Sequence, residues 1–464
     1  MTKEPAGFQP PSFVSSALFT FGTQIAVAVL SLVNVLIVAR ALGPTGRGQI
    51  ALLTTIAYLS SQVALFGVEQ ANINLAGIQP RSRRALATNS LILAMAFGAF
   101  AIGFLAGLIA IFPGVDGGLA SGLRWLSLAS IPLLIFQTYL LLLIRADYRF
   151  AFANAGSMVG PIVNVGVNGL LALLGAISVG TAFGAWVGGQ ALGTLLFVWC
   201  VQYRVAGFGR PDLGLARQTL GFGLRAHGGR IMMLGNYRLD QWLVGAVSGT
   251  RELGVYSVAV AWAEALFHLP TALAAVQRPH LVRASRRETA RSTARVFRAA
   301  VLITLPIAGV MVAAAPILCV TIFGADFRGS IGELRVLAGG AFGILALKIL
   351  GNALTAQRKP LLETAGIGAA FIATVVLDIL LIPRSGGFGA AVASSLAYST
   401  GGIFIALIST RALGGRLGNF VPRPRDLVAL WRGTRGALRR GTSAPALVPA
   451  PLSQSADEPP PPVA

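Results

Sequence analysis

Apolar stretches of about twenty residues follow one another from Phe13 to Leu413, separated by short polar or glycine-rich segments. A helix needs roughly 20 apolar residues to cross the ~30 Å core of a bilayer. A soluble protein has no reason to repeat that length so often. The pattern therefore predicts an all-α polytopic membrane protein with about 12 transmembrane helices. The predicted spans are 14–39, 48–68, 88–111, 125–144, 151–174, 179–201, 221–246, 253–275, 296–320, 334–355, 361–383 and 387–410.

Composition supports a membrane protein and argues against a nucleic-acid-binding one. Apolar residues make up 55% of the chain and charged residues only 11%, both unlike an average soluble domain. The net charge is +21, but the basic residues flank the spans instead of covering a soluble face, so we expect membrane lipids and no nucleic acid as partners. Cys200 and Cys319 lie in or at the end of spans, which predicts neither a disulfide framework nor a metal site.

The distribution of basic residues in the short loops predicts the orientation, because loops rich in Lys and Arg stay in the cytoplasm. With both termini inside, the inner loops hold Arg81, Arg83, Arg84, Arg145, Arg149, Arg204, Arg210, Arg217, Arg225, Arg230, Arg278, Arg283, Arg286, Arg287, Arg291, Arg295, Arg298, Arg358 and Lys359. The outer ends hold fewer: Arg40, Arg47, Arg124, Arg251, Arg328, Arg335 and Arg384. We expect a bacterial cytoplasmic membrane, since the Arg-, Ala- and Gly-rich composition is typical of a GC-rich bacterial gene.

The two halves of the chain resemble each other. Gly48-Gln49-Ile50 lies 206 residues before Gly254-Val255-Tyr256, and Leu123-Arg124 lies 211 residues before Leu334-Arg335. Six helices fill this offset, so both halves have the same topology and form two lobes related by a pseudo-two-fold axis along the membrane normal. The predicted domains are a cytoplasmic N-terminus (1–13), an N-lobe (14–201), a cytoplasmic linker (202–220), a C-lobe (221–412) and a basic, then Pro-rich cytoplasmic tail (413–464).

The tail has two parts with different expected behaviour. Residues 424–440 place Leu427, Trp431 and Leu438 on one helical face among arginines. Such a segment is either an interfacial helix on anionic lipid or a solvated basic tail that secures the topology. Residues 443–464 are Pro-rich, which predicts disorder. Any partner of the tail is unknown from the sequence.

The segment Ala39–Leu53, ARALGPTGRGQIALL, resembles the first helix-to-helix turn of polysaccharide-lipid flippases. These belong to the multidrug/oligosaccharidyl-lipid/polysaccharide (MOP) exporter superfamily. Leu65-Phe66-Gly67, Tyr237–Gln241 and Glu252–Ser257 are similar to further turns of that superfamily, and the resemblance covers about residues 14–412. It implies a V-shaped bundle of two six-helix lobes that moves lipid-linked sugars by alternating access. Arg40 then has a structural role at the outer rim.

Cationic side chains inside the predicted spans are the strongest candidates for a binding site, because an embedded charge is costly unless it faces a cavity or a partner. On the seventh span Arg230, Tyr237, Arg238 and Gln241 share one broad helical face, and the tenth span carries Lys348 and Asn352. Arginine binds phosphate through two parallel hydrogen bonds, so these residues predict an anion site. The alternatives are that Arg230 reaches the inner membrane surface and that Lys348 pairs with a neighbouring acid.

Acidic residues inside the spans are candidates for ion coupling. Glu264 and His268 lie one turn apart on the eighth span, and Glu69, Asp240 and Asp378 complete the set. Glu264 and His268 predict either a proton or cation site or the neutralisation of Arg230 or Arg238. We expect no cofactor and no metal centre, apart from H⁺ or Na⁺ as a coupling cation.

These features favour a secondary transporter over an enzyme. The leading hypothesis is a flippase for an undecaprenyl-pyrophosphate-linked glycan in polysaccharide or envelope biosynthesis. One alternative is an ion-coupled multidrug exporter of the same superfamily, which would need acids in its cavity. The other is a membrane-embedded glycosyltransferase or polymerase, which the short outer loops disfavour. The chain has no GxxxxGK[ST] loop for ATP hydrolysis.

Overall fold

The structure, a computed structural model, describes residues 13–426, and within that range every regular element is helical. The predicted cytoplasmic N-terminus up to residue 12, the interfacial helix beyond Asp426 and the Pro-rich segment 443–464 lie outside the described residues. The helices are α1 (Phe13–Val63), α2 (Val68–Ile78), α3 (Arg83–Ile111), α4 (Ser121–Ala129), α5 (Ile131–Ala146), α6 (Phe150–Leu173), α7 (Val179–Cys200), α8 (Leu213–Leu243), α9 (Thr250–Arg283), α10 (Arg286–Pro316), α11 (Ser330–Ala356) and α12 (Pro360–Leu413).

The helices correspond to the predicted spans with three differences. Within the described residues nine helical stretches are long and apolar enough to cross a membrane, and two of them, Phe19–Val63 and Pro360–Leu413, each hold two predicted spans. The fourth span is divided into α4 and α5. The seventh span, α8, is not among the nine. Its Arg, His, Asn and Gln residues lower its hydropathy, and it packs between protein neighbours rather than against lipid alone.

Two glycines turn the chain within the long helices. Gly43 has φ 65° and ψ −173° in α1, and Gly386 has φ 54° and ψ −133° in α12. Side-chain-bearing residues rarely adopt these angles. Each glycine therefore reverses the chain direction, so that two antiparallel spans follow each other with almost no loop.

The internal repeat predicted from the sequence is visible in the backbone. Turns with positive φ recur at nearly the same offset as the sequence matches, so the two lobes are built alike. The paired positions are Gly43 and Gly249, Tyr148 and Arg358, and Gly175 and Gly386. Their separations of 206, 210 and 211 residues follow from the numbering.

The segment that joins the lobes is fixed to the N-lobe. Asn89 Nδ2 donates to Asp212 O (2.8 Å), and Asp212 N donates back to Asn89 Oδ1 (3.1 Å). Thr88 makes a similar reciprocal pair with Gly209. Asp212 also caps α8 by accepting from Leu215 N. The first turns of α8 are thus held by α3, and α8 begins at Leu213, before the predicted span start at 221.

The bundle has two distinguishable ends. The basic end is formed by the turns at 79–82, 147–149, 206–212, 284–285 and 357–359. At the opposite end the turns contain Gly43, Gly249 and Gly386, and the lobes are bridged there. Arg40 donates to the carbonyls of Thr321 and Ile322 (both 2.6 Å). This geometry agrees with the structural role expected of Arg40 at the rim.

Candidate functional site

A cavity of about 940 Å³ lies between the two lobes. Both halves of α1, together with α6 and α7, form its N-lobe wall, and α8 and α9 form its C-lobe wall. It is deep enough to reach from the last turn of α5 to the first turns after Gly43. The polar and charged lining residues are Thr20, Thr23, Gln24, Ser31, Arg47, Thr54, Thr55, Tyr58, Arg145, Asn154, Ser157, Gln190, Arg238, Gln241, Ser257, Glu264 and His268.

Arginines dominate the charge of the cavity. Arg47, Arg145 and Arg238 line it, against Glu264 as the acidic lining residue, with His268 one turn from Glu264. A water-filled cavity with low-dielectric walls concentrates such a field and favours counter-ions of opposite sign. The lining therefore favours anionic ligands.

Arg238 and Glu264 form a bidentate ion pair across α8 and α9. Nη1 of Arg238 donates to Oε1 of Glu264 at 2.6 Å, and Nη2 donates to Oε2 at 3.4 Å. The two side chains are 29% and 33% exposed, so both remain open to the cavity. Of the alternatives for Glu264, the structure thus shows an acid that neutralises Arg238. Glu264 lies on α9, so the sequence of α8 alone does not reveal the partner of Arg238.

Arg47 is a cavity residue that the sequence did not indicate. It was assigned to the outer end because it sits in the glycine-rich turn GPTGRGQ. In the structure α1 resumes at Pro44, so Arg47 falls in the first turn of the second half and faces the cavity. Its Nε is buried without a hydrogen-bond partner among the described residues, and Arg238 is a nearby charge. A proline that starts a helix is the signal that could have located Arg47.

Arg145 is a second cavity residue that the sequence did not indicate. The predicted topology places it in an inner loop. It lies in the last turn of α5 and lines the cavity at the basic end. The acid next to it in sequence, Asp147, is already bound by Arg83 Nη1 (2.5 Å) and Arg149 Nε (2.6 Å). Among the described residues the side chain of Arg145 makes no hydrogen bond or ion pair.

Arg230, predicted to bind substrate, lies outside the cavity lining and connects the lobes. Its Nη2 donates to Gln62 Oε1 (2.6 Å), and its Nη1 lies 3.4 Å from Oε1 of the fully buried Glu69. One turn earlier His227 Nε2 contacts Val63 O at 2.8 Å. Glu69, a candidate for ion coupling, is therefore part of this contact between α2 and α8.

Lys348, Tyr237 and Asn352 lie within the C-lobe and do not line the central cavity. Lys348 Nζ sits 5.7 Å from the centre of the Tyr237 ring, a cation–π contact. Tyr237 stacks on Phe267 at 5.9 Å, and Asn352 donates to Ala274 O at 3.0 Å. Arg238 and Lys348, predicted as parts of one anion site, are therefore not brought together in the cavity. The arginines that share the cavity with Arg238 are Arg47 and Arg145, and Gln241 on α8 also lines it.

Two buried aspartates form a polar centre inside the C-lobe. Asp240 accepts from Tyr256 Oη (2.5 Å), Ser394 Oγ (3.1 Å) and Gln241 N (2.7 Å). Asp378 on α12 is completely buried, and both its carboxylate oxygens lack a hydrogen-bond partner among the described residues. Asp240 is a nearby acidic residue. No group of three or more His, Cys, Asp or Glu residues in the described part of the chain is arranged to hold a metal.

Comparison with known proteins assigns the chain to a family. Residues 37–332, more than half of the chain, match the family described as polysaccharide biosynthesis protein. The chain belongs to this family. The match includes the turn sequence at Gly43, Arg47 and the Arg238–Glu264 pair, so the membership confirms the resemblance seen in the sequence. No curated protein matches the chain significantly.

Solved structures share the fold at low identity. A structure described as lipid II flippase MurJ, inward closed conformation, has a TM-score of 0.71 at 14% identity, over 90% of this chain and 93% of that chain. An inward-facing multidrug resistance MATE family transporter of the MOP superfamily has a TM-score of 0.68 at 14% identity, over 85% of this chain and 98% of that chain. A MOP superfamily transporter from Pyrococcus furiosus has a TM-score of 0.57 at 13% identity, over 86% of this chain and 95% of that chain. Its description refers to the reverse polarity of its binding pocket.

These likenesses confirm the fold class. The chain has the two-lobed, all-helical architecture of MOP superfamily transporters and is a multi-pass membrane protein. The structures similar to it include both a flippase and multidrug transporters, so the fold leaves the substrate open.

Proposed function

We propose that this protein is a flippase for an anionic lipid-linked saccharide of the polyprenyl-pyrophosphate type. It would act by alternating access during polysaccharide or cell-envelope biosynthesis. The observation that supports this most is the cavity between the lobes, where three arginines face one glutamate. Membership in a family of polysaccharide biosynthesis proteins agrees with it. The lipid tail would remain in the bilayer between the lobes while the head group enters the cavity.

The phosphates would be bound by Arg47 and Arg238. A guanidinium and a phosphate form paired charge-assisted hydrogen bonds, which are roughly twice as strong as neutral ones. Arg47 has a buried Nε without a partner, so a ligand oxygen would complete its hydrogen bonding. Arg238 is held by Glu264 at 2.6 Å and is positioned by it for the same ligand.

A multidrug exporter is the second candidate function, and Glu264 with His268 in the cavity is the observation in its favour. A cationic drug would need a carboxylate whose charge is not already neutralised. Glu264 is bound by both terminal nitrogens of Arg238, so the cavity retains a positive excess. We therefore place this function second.

The connection between α3 and α4 is too short to hold a catalytic domain, which fits a transporter rather than an enzyme.

Coupling to a cation, H⁺ or Na⁺, would take place at Asp240 and Asp378. A carboxylate buried in a membrane protein without a partner is costly and is a typical functional position. Asp378 has two such oxygens, and Asp240 adds a second carboxylate with Tyr256 and Ser394 as neighbours. A proton or a sodium ion would balance this charge.

The basic end would face the cytoplasm of a bacterial cell, with both termini on that side. Exposed arginines at the start of α10, Arg286, Arg287 and Arg291, would then meet anionic lipid head groups. A cysteine at Ser285 should resist a membrane-impermeant thiol reagent in intact cells. Strong labelling from outside would reverse this orientation.

The function is tested by transport of a defined lipid. Purified protein in proteoliposomes should move a short-chain polyprenyl-pyrophosphate disaccharide between leaflets, measured by accessibility of the sugar to an external glycosidase. Arg238→Gln and Arg47→Gln should each lower the rate by at least about tenfold. The matched control is Arg81→Gln, an exposed arginine at the basic end. Wild-type protein that moves none of this lipid would contradict the proposal.

A further inference from the structure

The two walls of the cavity differ in chemistry. The titratable residues Arg238, Glu264 and His268 belong to the C-lobe wall. Apart from Arg47 near the opposite end, the N-lobe wall is mostly neutral and hydrogen-bonding, with two aromatic residues, Tyr58 and Trp186, and one cation, Arg145. Its members from α1, α5, α6 and α7 include Gln24, Arg145, Asn154, Ser157, Trp186 and Gln190.

Trp186 offers a flat apolar surface on this wall. Phe183 stacks on its ring at 5.4 Å with an interplanar angle of 17°, which holds the indole in place from one side. Trp186 itself lines the cavity. Aromatic rings present large, rigid contact surfaces, and the C–H face of a sugar ring is a flat apolar surface of matching size. Gln190, one turn further along α7, adds an amide that can donate to and accept from sugar hydroxyls.

The helices around Trp186 pack closely against one another. Gly156 and Gly160 of α6 face Gly189 and Gly193 of α7, and a Cβ at Gly193 would lie 3.0 Å from Gly156 O. Across α1 and α6, Asn154 Nδ2 donates to Thr20 Oγ1 at 3.1 Å. Asn154 and Thr20, which both line the cavity, are thereby linked across this wall.

Arg145 is the one cation in this neutral surrounding. Its neighbour Asp147 is bound by Arg83 and Arg149, and the Arg145 side chain has no hydrogen bond or ion pair of its own among the described residues. A guanidinium in a membrane-embedded cavity is stabilised when an anion reaches it. Arg47 and Arg238, at the other side of the cavity, are available for the phosphates, so Arg145 would require a second negative group on the same ligand.

We infer that the N-lobe wall binds the saccharide and that Arg145 selects a glycan bearing a carboxylate, as in a uronic acid. This deepens the proposed function and rests on it. The pyrophosphate would lie at Arg47 and Arg238, the first sugars against Trp186, and the sugar carboxylate at Arg145. The competing explanation is structural, because Arg145 in the last turn of α5 also faces the negative end of the helix dipole.

A matched pair of ligands tests the selection. The full-length protein in nanodiscs is titrated with two short-chain polyprenyl-pyrophosphate disaccharides that differ only at C6 of one sugar, a carboxylate or a hydroxymethyl group. We expect the wild type to bind the uronate form about tenfold more tightly, as for a hydrogen bond to a charged group. Arg145→Gln should remove this preference, and Arg145→Lys should retain part of it. Arg238→Gln should weaken both ligands alike.

The stacking surface has its own control. Trp186→Ala should weaken both disaccharide ligands at least about fivefold and leave the polyprenyl pyrophosphate without sugar unaffected, and Trp186→Phe should restore most of the binding. Trp199→Ala on the same helix is the control, because Trp199 is 41% exposed and does not line the cavity.

Equal binding of the two disaccharides to the wild type would overturn the role of Arg145 and leave the proposed function intact. A preference for the uronate that persists in Arg145→Gln would overturn it as well, because the selecting group would then be another residue. Failure of the wild type to bind either lipid would contradict the proposed function itself.

Discussion

Gly48 and Gly254 lie 206 residues apart and occupy equivalent positions in a reciprocal contact between the lobes. A Cβ at Gly48 would lie 1.6 Å from the carbonyl oxygen of Thr250, and a Cβ at Gly254 would lie 1.8 Å from that of Pro44. Pro44 and Thr250 are also 206 residues apart. A contact in which each partner meets the counterpart of the other is the signature of a two-fold axis.

This contact closes the cavity at the opposite end. Arg47 precedes Gly48 and Ser257 lies one turn after Gly254, and both line the cavity. The helix backbones touch directly at the glycines, so no side chain separates the lobes there. In the proposed alternating access this contact would be the seal that opens to release the substrate on that side.

Gly254→Ala should therefore destabilise the closed state. Overpacking of a tight contact costs typically ~1–3 kcal/mol, enough to shift an equilibrium between closed and open states by about tenfold or more. In a background without Cys200 and Cys319, a cysteine at Ser257 should be labelled several-fold faster by an impermeant thiol reagent in intact cells. Flipping should fall correspondingly.

Gly103→Ala on α3 is the control for this change, since a Cβ there meets nothing within 4 Å. It should leave both the labelling of Ser257→Cys and the flipping rate unchanged. If Gly254→Ala also leaves both unchanged, the glycine contact is not the seal of the cavity.

Arg230 should matter for stability more than for binding. Arg230→Met leaves the buried carboxylate of Glu69 without its cation. The cost should be below the ~3–5 kcal/mol of a fully buried pair, on the order of 2 kcal/mol, because Arg230 is 37% exposed. The thermal unfolding midpoint in detergent should drop, and the double variant Arg230→Met/Glu69→Gln should recover most of it. A normal midpoint together with lost flipping would instead place Arg230 in the substrate site.

The fold could be predicted from the sequence because its signals are local and repeated. Span length predicts a membrane helix wherever about twenty apolar residues occur, and Gly43 and Gly249 mark the same turn in both halves. Only α8 departs from the pattern, since its polar residues are accommodated between helices. Arg238, Gln241, Glu264 and His268 are predictable as polar or ionisable residues inside the spans, and all four line the cavity.

The rest of the site depends on how the helices pack, which residue spacing does not determine. Arg47 and Lys348 show this best. Arg47 follows a turn and resembles a loop residue, yet the restart of α1 at Pro44 directs it into the cavity. Lys348 lies in the middle of a span, yet α11 is surrounded by C-lobe helices, and the Tyr237 ring contacts its ammonium group. The pairing of Arg238 with Glu264 likewise required knowing that α8 and α9 are neighbours.

Asp378 should be required for the response to a cation gradient. Asp378→Asn keeps the size of the side chain and removes the charge, so flipping in proteoliposomes should lose its dependence on an imposed H⁺ or Na⁺ gradient. Asp326→Asn, at an exposed turn after α10, should keep that dependence. Unchanged gradient dependence in Asp378→Asn would exclude this aspartate as the coupling site.

The segment after α12 should detach from α10 at low pH. Hydrogen bonds from the Arg298 guanidinium hold the pKa of Asp426 below its usual range, with Nε–Oδ2 at 2.7 Å and Nη2–Oδ1 at 3.0 Å. Because the folded pKa is depressed, this contribution is complete above the ordinary carboxyl pKa of about 3.9 and is lost as pH falls through the folded value.

Hydrogen exchange at residues 417–426 measures this docking. Exchange should remain slow near neutral pH and rise at a pH below the normal carboxyl range, after correction for the intrinsic rate. Arg298→Ala should raise exchange near neutral pH, lowering the opening free energy by about 1 kcal/mol, and should remove most of its dependence on pH. Exchange that is equally slow in Arg298→Ala would mean that the Phe297–Phe420 contact holds the segment without the ion pair.

The sign of charge that the cavity selects tests the account most directly. Native mass spectrometry of the full-length protein should show binding of a short-chain polyprenyl-pyrophosphate saccharide, and a lipophilic cation such as tetraphenylphosphonium should not compete with it. The double variant Arg47→Gln/Arg238→Gln should lose the anionic lipid by more than tenfold. Binding of the cation to the wild type in place of the saccharide, with loss of the cation in Glu264→Gln, would contradict the flippase account and favour drug export.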